Sequence, residues 1–463
     1  MSFIKYVFFF ILTAIIISCK KESFIKSPQA NLSTSVDTLK YDTVFTLVGS
    51  VTQSFKIFNN NNQKLRLSQV KLAGGASSVF KINVDGTAAT EVDNIEMNAN
   101  DSIYVFVQVN VNPNANNLPF LLRDSILISY NGNQKFVQLQ AYGQNAIFLN
   151  SVKLTGNVTW DKTLPYVIIG GILIDSNSTL TVQRGTKIYL HASAPFLVDG
   201  TLIVNGTKQD SVVFNGDRMD SDYKDLPASW PGIFFSSSSK DNFLKHAVIK
   251  NAYQGIIAQG LSVNANPKLT ISQCIIDNIY DAGVLGVNTN IYADNCLISN
   301  CGSNILLQLG GDYRFVHCTV VSYNNFLITH KAPVLQASNA AKQNGATFTR
   351  PLNAIFQNCI FWGDNGNVDN EIILDKEGSV SFLASFNHVL YKAKDNVSNG
   401  NFDAQSIKNT DPSFDSIDVS HNYYDFHLKD YSPAINAGTS TSFPKDLDDV
   451  IRDAKPDIGC YEK

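Results

Sequence analysis

The chain has 463 residues, enough for two or three domains, and a formal net charge of only −4 with 16% charged residues. The sequence has neither a basic stripe that would indicate nucleic-acid binding nor an acidic tail that would indicate a basic partner. Asn, Ser, Thr and Gly are frequent whereas Met occurs 3 times, which favours an all-β extracellular protein over a helical one.

The N-terminus has the pattern of a targeting segment. Lys5 supplies a positive charge, residues 6–17 form an apolar run of 12, and Ser18 and Cys19 end it. This run is too short to span about 30 Å of hydrocarbon. It resembles a bacterial lipobox, which implies that residues 1–19 are a lipoprotein signal peptide and that Cys19 is lipidated. The alternative is an uncleaved anchor with an ordinary cysteine.

A charged stretch follows the cysteine. Lys20-Lys21-Glu22-Ser23 resembles the segment after the lipidated cysteine in surface-exported lipoproteins of Bacteroidetes. The resemblance implies a lipid-anchored protein of the bacterial outer membrane, exposed at the cell surface. Residues 20–36 are polar and are expected to form a tether between this anchor and the first folded domain.

Residues 37–146 have the pattern of one antiparallel β-module. About seven short stretches alternate apolar and polar residues, separated by turn signals such as those at residues 59–62 and 131–133. This number of strands in roughly 110 residues is typical of an immunoglobulin-like sandwich. The phrases at residues 55–59 and 137–141 resemble Ig-like modules that separate the anchor from the functional end of such lipoproteins. The alternative is a spacer without a ligand.

Residues 147–430 repeat a different pattern of short alternating strands broken by Gly or Asn, with no helical period between them. One phrase returns around Cys274, Cys296, Cys318 and Cys359, in steps of 22, 22 and 41 residues. A period near 22 is typical of a coiled stack of strands, in which each turn buries its apolar face against its neighbours.

The same region resembles a known family. Gly-containing rungs lead to Trp230-Pro231-Gly232-Ile233, a combination seen in right-handed parallel β-helix proteins. The resemblance implies an all-β chain in which the N-terminal Ig-like β-sandwich is followed by a right-handed, single-stranded parallel β-helix of the pectate-lyase type.

Two stretches do not fit the rungs and are predicted to be loops. The first accounts for the excess of 19 residues before Cys359 and falls at residues 330–350. The second covers residues 216–230 and is rich in aspartate. Long loops on a solenoid often carry function, although they can also be decoration. The aspartates of the second loop are Asp217, Asp220, Asp222 and Asp225.

The six cysteines beyond Cys19 invite disulfides because the protein is predicted to be exported. The repeat instead places four of them in one inward column, as small apolar core residues. Stacked side chains on parallel strands about 4.8 Å apart do not readily adopt disulfide geometry. Cys301 lies off the column and is the candidate for pairing, and a disulfide of Cys460 stays open. No zinc-ligand spacing occurs, and neither metal nor cofactor is predicted.

The C-terminus carries the most family-specific pattern. Residues 431–463 are expected to cap the open end of the stack, which would otherwise expose unpaired strand edges. The segment resembles the C-terminal module of surface β-helix proteins that is often called choice-of-anchor Q, a resemblance that implies an architecture and not a reaction. The phrases that carry this resemblance begin before residue 431 and occur in order at residues 411–414, 424–428, 432–438, 446–452 and 457–462.

Counting back from the inward column identifies side chains that face outward. Lys268 and Asp312 lie six positions before a cysteine of the column, and Tyr292 and Arg314 lie four positions before one, so the four residues fall on three rungs. An aromatic ring beside two cations suits an acidic sugar, because Arg can bind a carboxylate through two hydrogen bonds. The alternative is a ladder of charges that keeps an exposed sheet soluble.

No catalytic residue is predicted. Asp312 alone is not a calcium cluster, and glycoside hydrolysis needs two carboxylates about 5–10 Å apart. Asn409-Thr410-Asp411 and Asp448-Asp449 resemble polygalacturonase phrases but lie in the C-terminal module, and we interpret them as coincidence.

Two functions therefore remain after the sequence is considered. The favoured one is a non-catalytic surface lipoprotein that binds a polysaccharide or a host or matrix glycan, or that builds adhesion structure. The alternative is a polysaccharide lyase or glycoside hydrolase that acts on an acidic polysaccharide. Both contact the membrane through the lipid on Cys19, and neither implies a nucleic acid.

Overall fold

The computed structural model describes residues 23–46, 50–111, 120–220, 223–364 and 366–463. Within these ranges the chain consists of β-strands, turns and two short 3-10 helices, Gly75–Ser77 and Val419–His421. It forms two compact units, one ending at Asn145 and the other running from Ala146 to Lys463. Cys19 and the predicted signal peptide lie outside the described residues.

The first unit consists of two five-stranded sheets that enclose one apolar core. Neighbouring strands are antiparallel, except that Thr38–Phe45 runs parallel to Asn133–Gln144. Every second residue of a strand such as Ser102–Val109 is buried, as the two-residue period of a strand requires. In stacking order the first sheet contains Leu32–Thr34, Gln53–Asn59, Ser102–Val109, Phe80–Val84 and Thr87–Ala88. The second contains Thr38–Phe45, Asn133–Gln144, Phe120–Tyr130, Leu65–Leu72 and Glu91–Met97.

The expected tether is wrong for the part of it that the structure describes. Leu32–Thr34 pairs antiparallel with Gln53–Asn59 and so belongs to the first sheet. Ala30 and Leu32 are buried in the core of this unit. The free energy gained by burying these apolar side chains exceeds the conformational entropy that a free linker would retain, so this stretch is ordered.

The second unit is built from two long parallel sheets, which we call sheet I and sheet II. Sheet I has eleven strands and sheet II has seventeen. Sheet I contains, in stacking order, Ile147–Leu149, Tyr166–Ile168, Lys187–Leu190, Val212–Gly216, Ala247–Lys250, Ile275–Asp277, Leu297–Ser299, Thr319–Tyr323, Ile360–Asp364, Leu390–Tyr391 and Ile407–Lys408. Sheet II contains Val152–Leu154, Asn157–Trp160, Ile172–Ile174, Thr179–Gln183, Phe196–Val198, Thr201–Asn205, Ile233–Phe235, Asn242–Lys245, Ile256–Gln259, Leu269–Ser272, Ala282–Asp294, Ser303–Val316, Leu335–Ser338, Leu352–Gln357, Ile372–Asp375, Phe382–Asn387 and Asn401–Phe402.

Successive turns of the chain supply successive strands to both sheets, and the apolar side chains that point inward form one continuous core. The predicted fold class is therefore confirmed: an all-β chain with antiparallel sheets at the N-terminus, followed by a parallel β-helix. Two antiparallel hairpins are added to it. One joins Ala340–Gln343 to Ala346–Thr349, and the other joins Phe414–Asp418 to Tyr423–Leu428.

The column of cysteines is confirmed as part of the core. Cys274, Cys296, Cys318 and Cys359 each have no exposed surface. The residues that follow them pair in parallel in sheet I, so the thiols lie in line through the stack. All six cysteines of the described residues are free, so the suspected pairing of Cys301 does not occur. Cys301 is itself fully buried.

A bend of left-handed backbone precedes each of these core positions. We call these residues, which have φ between 45° and 53°, the bend column. L-residues disfavour this conformation, and Asn and His are among the residues that adopt it most often, which fits the five of six members that are Asn or His. The members are His246, Gln273, Asn295, His317, Asn358 and His388.

A second column of left-handed residues consists of asparagines and has a structural role. Asn251, Asn278 and Asn300 have φ of 63°, 57° and 49°. The Nδ2 of Asn278 donates to Oδ1 of Asn251 at 2.7 Å, so the side chains link one rung to the next.

The C-terminal segment does not cap the open end of the stack as expected. With the hairpin of Phe414–Asp418 and Tyr423–Leu428, which we count as part of this segment from here on, it lies along the flank. There Phe426, Leu428 and Ile458 pack against outward residues of sheet I such as Leu297 and Ile360. These outward positions are apolar, so covering them removes more apolar surface from water than covering a strand edge would.

Polar contacts fix the C-terminal segment to the bend column. Nε2 of Gln273 donates to the Asp446 carbonyl at 2.6 Å, and an Arg452 NH2 group donates to Oδ1 of Asn295 at 2.8 Å. These contacts come from consecutive rungs, so the segment follows the stack along its length.

Candidate functional site

The predicted outward side chains lie on adjacent strands of sheet II. Tyr292 lies opposite Arg314, and Asn290 lies opposite Asp312. The next strand places Asn353 opposite Asp312. The register predicted for three of the four site residues is therefore confirmed, while their role in binding stays a prediction. We call Tyr292, Asp312, Arg314 and Asn353 the Arg314 patch.

Asp312 is held in place from both sides of its strand. The Tyr292 hydroxyl donates to Oδ2 at 3.2 Å, and Nδ2 of Asn353 donates to Oδ1 at 2.7 Å. Burial, and then the negative charge of Asp312, raise the pKa of Tyr292, while Arg314 acts in the opposite direction. The phenol therefore stays protonated and continues to donate to the carboxylate.

Arg314 is the exposed cation of the patch. Its guanidinium forms neither a hydrogen bond nor an ion pair with any residue that the structure describes. An unpaired guanidinium offers five N–H donors in a planar fork. The patch thus combines a fixed carboxylate, an aromatic ring and a free donor for anions.

Lys268 does not belong to this surface, and its predicted place there is wrong. The side chain has no exposed surface. Its Nζ donates to the carbonyls of Ser236, Ser237 and Ser239 at 2.9, 3.0 and 2.7 Å. Burial lowers the pKa of Lys268 to about 8. The lysine precedes the strand that begins at Leu269, so the alternation used to place it outward does not apply.

Two projections stand beside the patch along sheet II. The loop at residues 260–268 reaches it through the Ser262 N–H, which donates to Oδ1 of Asn290 at 2.8 Å. The second is the hairpin of Ala340–Gln343 and Ala346–Thr349, which lies within the predicted excursion at residues 330–350. The sequence signal for this hairpin was its Asn344-Gly345 turn.

The hairpin creates two cavities that the sequence did not reveal. One, of about 350 Å³, is lined by Gln308, Gln336, Ser338, Lys342 and Asp375 among others. The other, of about 480 Å³, adjoins the first and shares Ser338, Lys342 and Asp375 with it. Because these residues come from three rungs and from the hairpin, no single stretch of sequence marks them.

The predicted loop at residues 216–230 is organised by its own contacts. The Arg218 guanidinium donates two hydrogen bonds to Asp220 at 3.0 and 3.1 Å and stacks 3.6 Å over the Tyr223 ring. The Asp225 carbonyl accepts from Nδ2 of Asn278 at 2.7 Å. Asp222 lies outside the described residues.

A third cavity, of about 180 Å³, lies between this loop, sheet I and the C-terminal segment. Its lysine is already paired: Nζ of Lys250 lies 3.0 Å from Oδ2 of Asp277, and the Ser299 hydroxyl donates to the same carboxylate at 2.7 Å. The Arg314 patch, with its unpaired cation, is therefore the stronger candidate for a ligand site.

The chemistry of the patch is that of recognition. It provides hydrogen-bond donors and acceptors at fixed positions and one free positive charge. Within the described ranges, no group of three or more His, Cys, Asp or Glu side chains is placed to hold a metal ion. In that same part of the chain, no helix has the length and apolar character needed to cross a membrane.

The sequence matches no protein-family model and no curated relative. Similar solved structures include a family 123 glycoside hydrolase from Clostridium perfringens, with 9% identity, coverage of 28% of this chain and 30% of that one, and a TM-score of 0.20. The VesB protease of Vibrio cholerae has 16% identity, coverage of 24% and 31%, and a TM-score of 0.18. This chain thus spans less than a third of the length of either protein.

A third structure covers more of the chain. It is the catalytic unit of a GH87 alpha-1,3-glucanase from Streptomyces thermodiastaticus, with 10% identity, coverage of 77% of this chain and 88% of that one, and a TM-score of 0.18. At TM-scores of this size, none of the three similarities carries an argument about fold or function.

Proposed function

We propose that this chain is a non-catalytic glycan-binding protein of the bacterial cell envelope, which presents the Arg314 patch to an acidic polysaccharide. The observation that carries the proposal is the exposed guanidinium of Arg314, which has no partner among the described residues. Its best complement is a planar carboxylate, which can accept two parallel N–H bonds. A uronic acid supplies such a carboxylate on a sugar ring.

The neighbours of Arg314 suit the rest of a sugar. Asp312 uses one oxygen for Tyr292 and the other for Asn353, and a carboxylate has about four lone-pair sites, so it can accept further hydrogen bonds from hydroxyl groups. All four side chains stand on parallel strands, which hold them in position before a ligand arrives. Preorganisation of this kind lowers the entropic cost of binding.

The site continues along the solenoid in a way that fits a chain-like ligand. The hairpin cavities bring Lys342 and Asp375 close to strands that follow the patch in sheet II. Lys342 is exposed and lines both cavities. A polyanion long enough to extend from Arg314 to the hairpin would meet Lys342 as a second cation, beside the Asp375 carboxylate.

The proposed location rests on sequence resemblance. A lipid on Cys19 would attach the chain to the outer membrane, with the β-helix exposed at the cell surface. In this proposal the first unit is an Ig-like spacer, and the C-terminal segment is a module of the choice-of-anchor Q type that adheres to the flank of sheet I.

Calorimetric titration with oligogalacturonate, oligoalginate and heparin fragments tests the function. We expect at least one to bind, with an affinity that falls as ionic strength rises. The Arg314→Ala variant should bind the same saccharide at least about 10-fold more weakly, equivalent to about 1.4 kcal/mol. Arg184→Ala, at an exposed arginine elsewhere on the β-helix, is the matched control. Equal binding by Arg314→Ala and the wild type would overturn the site.

The same samples separate binding from catalysis. A lyase would release unsaturated uronate ends that absorb in the ultraviolet, and a hydrolase would release reducing ends. We expect neither product to accumulate above a protein-free control during long incubation. Formation of either product would replace the non-catalytic proposal with the enzymatic alternative.

A further inference from the structure

Two exposed tyrosines stack on neighbouring rungs, just before the sheet II strands Ile256–Gln259 and Ala282–Asp294 and away from the Arg314 patch in sequence and register. The Tyr280 N–H donates to the Ala252 carbonyl, which places Tyr280 beside Tyr253. Their ring centroids are 5.4 Å apart, with 26° between the ring planes. The side chains remain 47% and 55% exposed for Tyr253 and Tyr280 respectively, although large aromatic residues gain most from burial.

The aromatic stack ends at a glycine. In the next rung the Gly302 N–H donates to the Ile279 carbonyl at 3.0 Å, so Gly302 occupies the position that corresponds to Tyr280. A Cβ at Gly302 would lie 2.3 Å from the Tyr280 carbonyl oxygen, so the backbone packing requires glycine. No side chain from this position covers the outer face of the Tyr280 ring.

A polar rim runs beside this open position. Nε2 of Gln254 donates to Oδ2 of Asp281 at 2.8 Å, next to the two tyrosines in sequence. One rung further on, Nε2 of Gln336 donates to the Ser303 hydroxyl at 2.8 Å. The Ser303 hydroxyl is itself buried, so the rim presents the Asp281 carboxylate and the side-chain amides of Gln254 and Gln336, all held by neighbours, beside an apolar ring face.

We propose that Tyr253 and Tyr280 form a stacking platform for a neutral pyranose ring, which lies beside Tyr280 over Gly302. The apolar C–H face of the sugar packs on the aromatic ring, as the next tyrosine of the column would, at a rung spacing of about 4.8 Å. Its hydroxyl groups meet the rim at Asp281 and Gln336. Because Asp281 is a carboxylate, the platform favours a neutral sugar over a uronic acid.

This inference rests on the proposed function for its ligand class, but it assigns a second site with a different preference. The Arg314 patch takes the charged units of a polysaccharide, and the Tyr280 platform takes a neutral unit. A heteropolymer that contains both could contact both sites, and two linked contacts raise the overall affinity without new chemistry at either site.

The test is calorimetric titration of the intact chain with cellohexaose, maltohexaose and mannohexaose. We expect at least one to bind, with an affinity that changes less than about 2-fold between low and high salt, because no charge pair forms. Tyr280→Ala should weaken this binding at least 10-fold, whereas Tyr280→Phe keeps the ring and should stay within 3-fold of the wild type. Tyr423→Ala, at an exposed tyrosine of the C-terminal segment, is the matched control and should bind normally.

This design tests the Tyr280 platform and the Arg314 patch independently of each other. Absence of binding to all three hexasaccharides, or equal binding by Tyr280→Ala, overturns the platform even where oligogalacturonate still binds through Arg314. If the wild type binds a neutral hexasaccharide but no acidic saccharide, the proposal for the Arg314 patch is overturned and the proposal for the platform is retained. A change in sedimentation coefficient for Tyr280→Ala, without a change in saccharide affinity, would identify the platform as a contact between copies of this chain.

Discussion

The Tyr292 hydroxyl donates to Asp312 at 3.2 Å, and this hydrogen bond joins two rungs across the Arg314 patch. It orients the carboxylate but leaves its negative charge beside the position proposed for an acidic sugar. The negative charge of Asp312 therefore opposes binding of that sugar, whereas the hydrogen bonds of Asp312 hold the side chains of the patch in position.

The first prediction follows from this opposition. Asp312→Asn removes one negative charge and keeps an acceptor for Tyr292, so binding of oligogalacturonate should become about 3- to 10-fold tighter, or about 1 kcal/mol. Calorimetric titration at low salt measures the change, and Asp85→Asn in the first unit is the control. Weaker binding by Asp312→Asn would show that the carboxylate accepts hydrogen bonds from the ligand, and that this outweighs its charge.

The second prediction concerns Lys268. Replacing it with Met removes the donor that satisfies three carbonyls, and buried unsatisfied groups cost free energy, so the free energy of unfolding should fall by about 3 kcal/mol. Denaturant titration measures the loss, with the exposed Lys240→Met as a control that should change stability by less than about 0.5 kcal/mol. Weakened binding of an acidic saccharide by a folded Lys268→Met variant would contradict the buried role.

The third prediction is a pH dependence at His317. Burial, and then the positive charge of Arg452, lower the pKa of His317 to about 3. Its ring nitrogen Nε2 lies 3.0 Å from Nδ2 of Asn358, which donates to it. In the unfolded chain, His317 takes up a proton near pH 6.5, whereas in the folded chain it stays neutral to a much lower pH. The contribution of neutral His317 to the free energy of unfolding is therefore complete above pH 6.5 and is lost as the pH falls towards 3.

His317→Asn should remove this dependence, because Asn already occupies equivalent positions of the bend column at Asn295 and Asn358. Between pH 6.5 and pH 3, the free energy of unfolding of the wild type should fall by about 3 kcal/mol more than that of the variant. His421→Asn, at an exposed histidine, is the control. Parallel curves for the wild type and His317→Asn would show that this histidine does not titrate on unfolding.

The fourth prediction concerns how the C-terminal segment is attached. Arg452 and Glu462 form an ion pair of 2.9 Å with both side chains buried, and Arg452 also donates to Asn295. Arg452→Met leaves a buried carboxylate without its partner, which typically costs about 3–5 kcal/mol. Limited proteolysis should then cut the C-terminal segment faster while the rungs before it stay intact.

The control for the fourth prediction is Arg350→Met, at an exposed arginine that directly follows the hairpin strand Ala346–Thr349. A cleavage rate equal to that of the wild type for Arg452→Met would mean that the apolar contacts of Phe426 and Leu428 hold the segment without the ion pair.

The register of the patch could be predicted from the sequence, because residues that are one period of 22 residues apart lie opposite each other on neighbouring parallel strands. Tyr292 and Arg314 are one such step apart and lie opposite each other. Lys268 could not be placed in this way, since the loop at residues 260–268 interrupts its rung. The strand Glu91–Met97 carries no clear alternation, because only its last residue is buried, so sequence periodicity does not predict it.

The flank position of the C-terminal segment was equally hidden from sequence reasoning. Alternation identifies outward residues of sheet I, such as Leu297 and Ile360, but not whether another part of the chain covers them. The hairpin cavities depend on residues separated by a whole turn of the solenoid. The sequence period predicts repeating contacts and gives no information about contacts that occur once.

The buried thiols have a practical consequence. Cys274, Cys296, Cys318 and Cys359 sit one to a rung with no exposed surface, so alkylating reagents cannot reach them while the stack is intact. In a Cys19→Ala form, each cysteine that becomes labelled during denaturation marks a turn that has come apart. The order of labelling, read by mass spectrometry, would therefore record from which end the solenoid unravels, with no engineered probe.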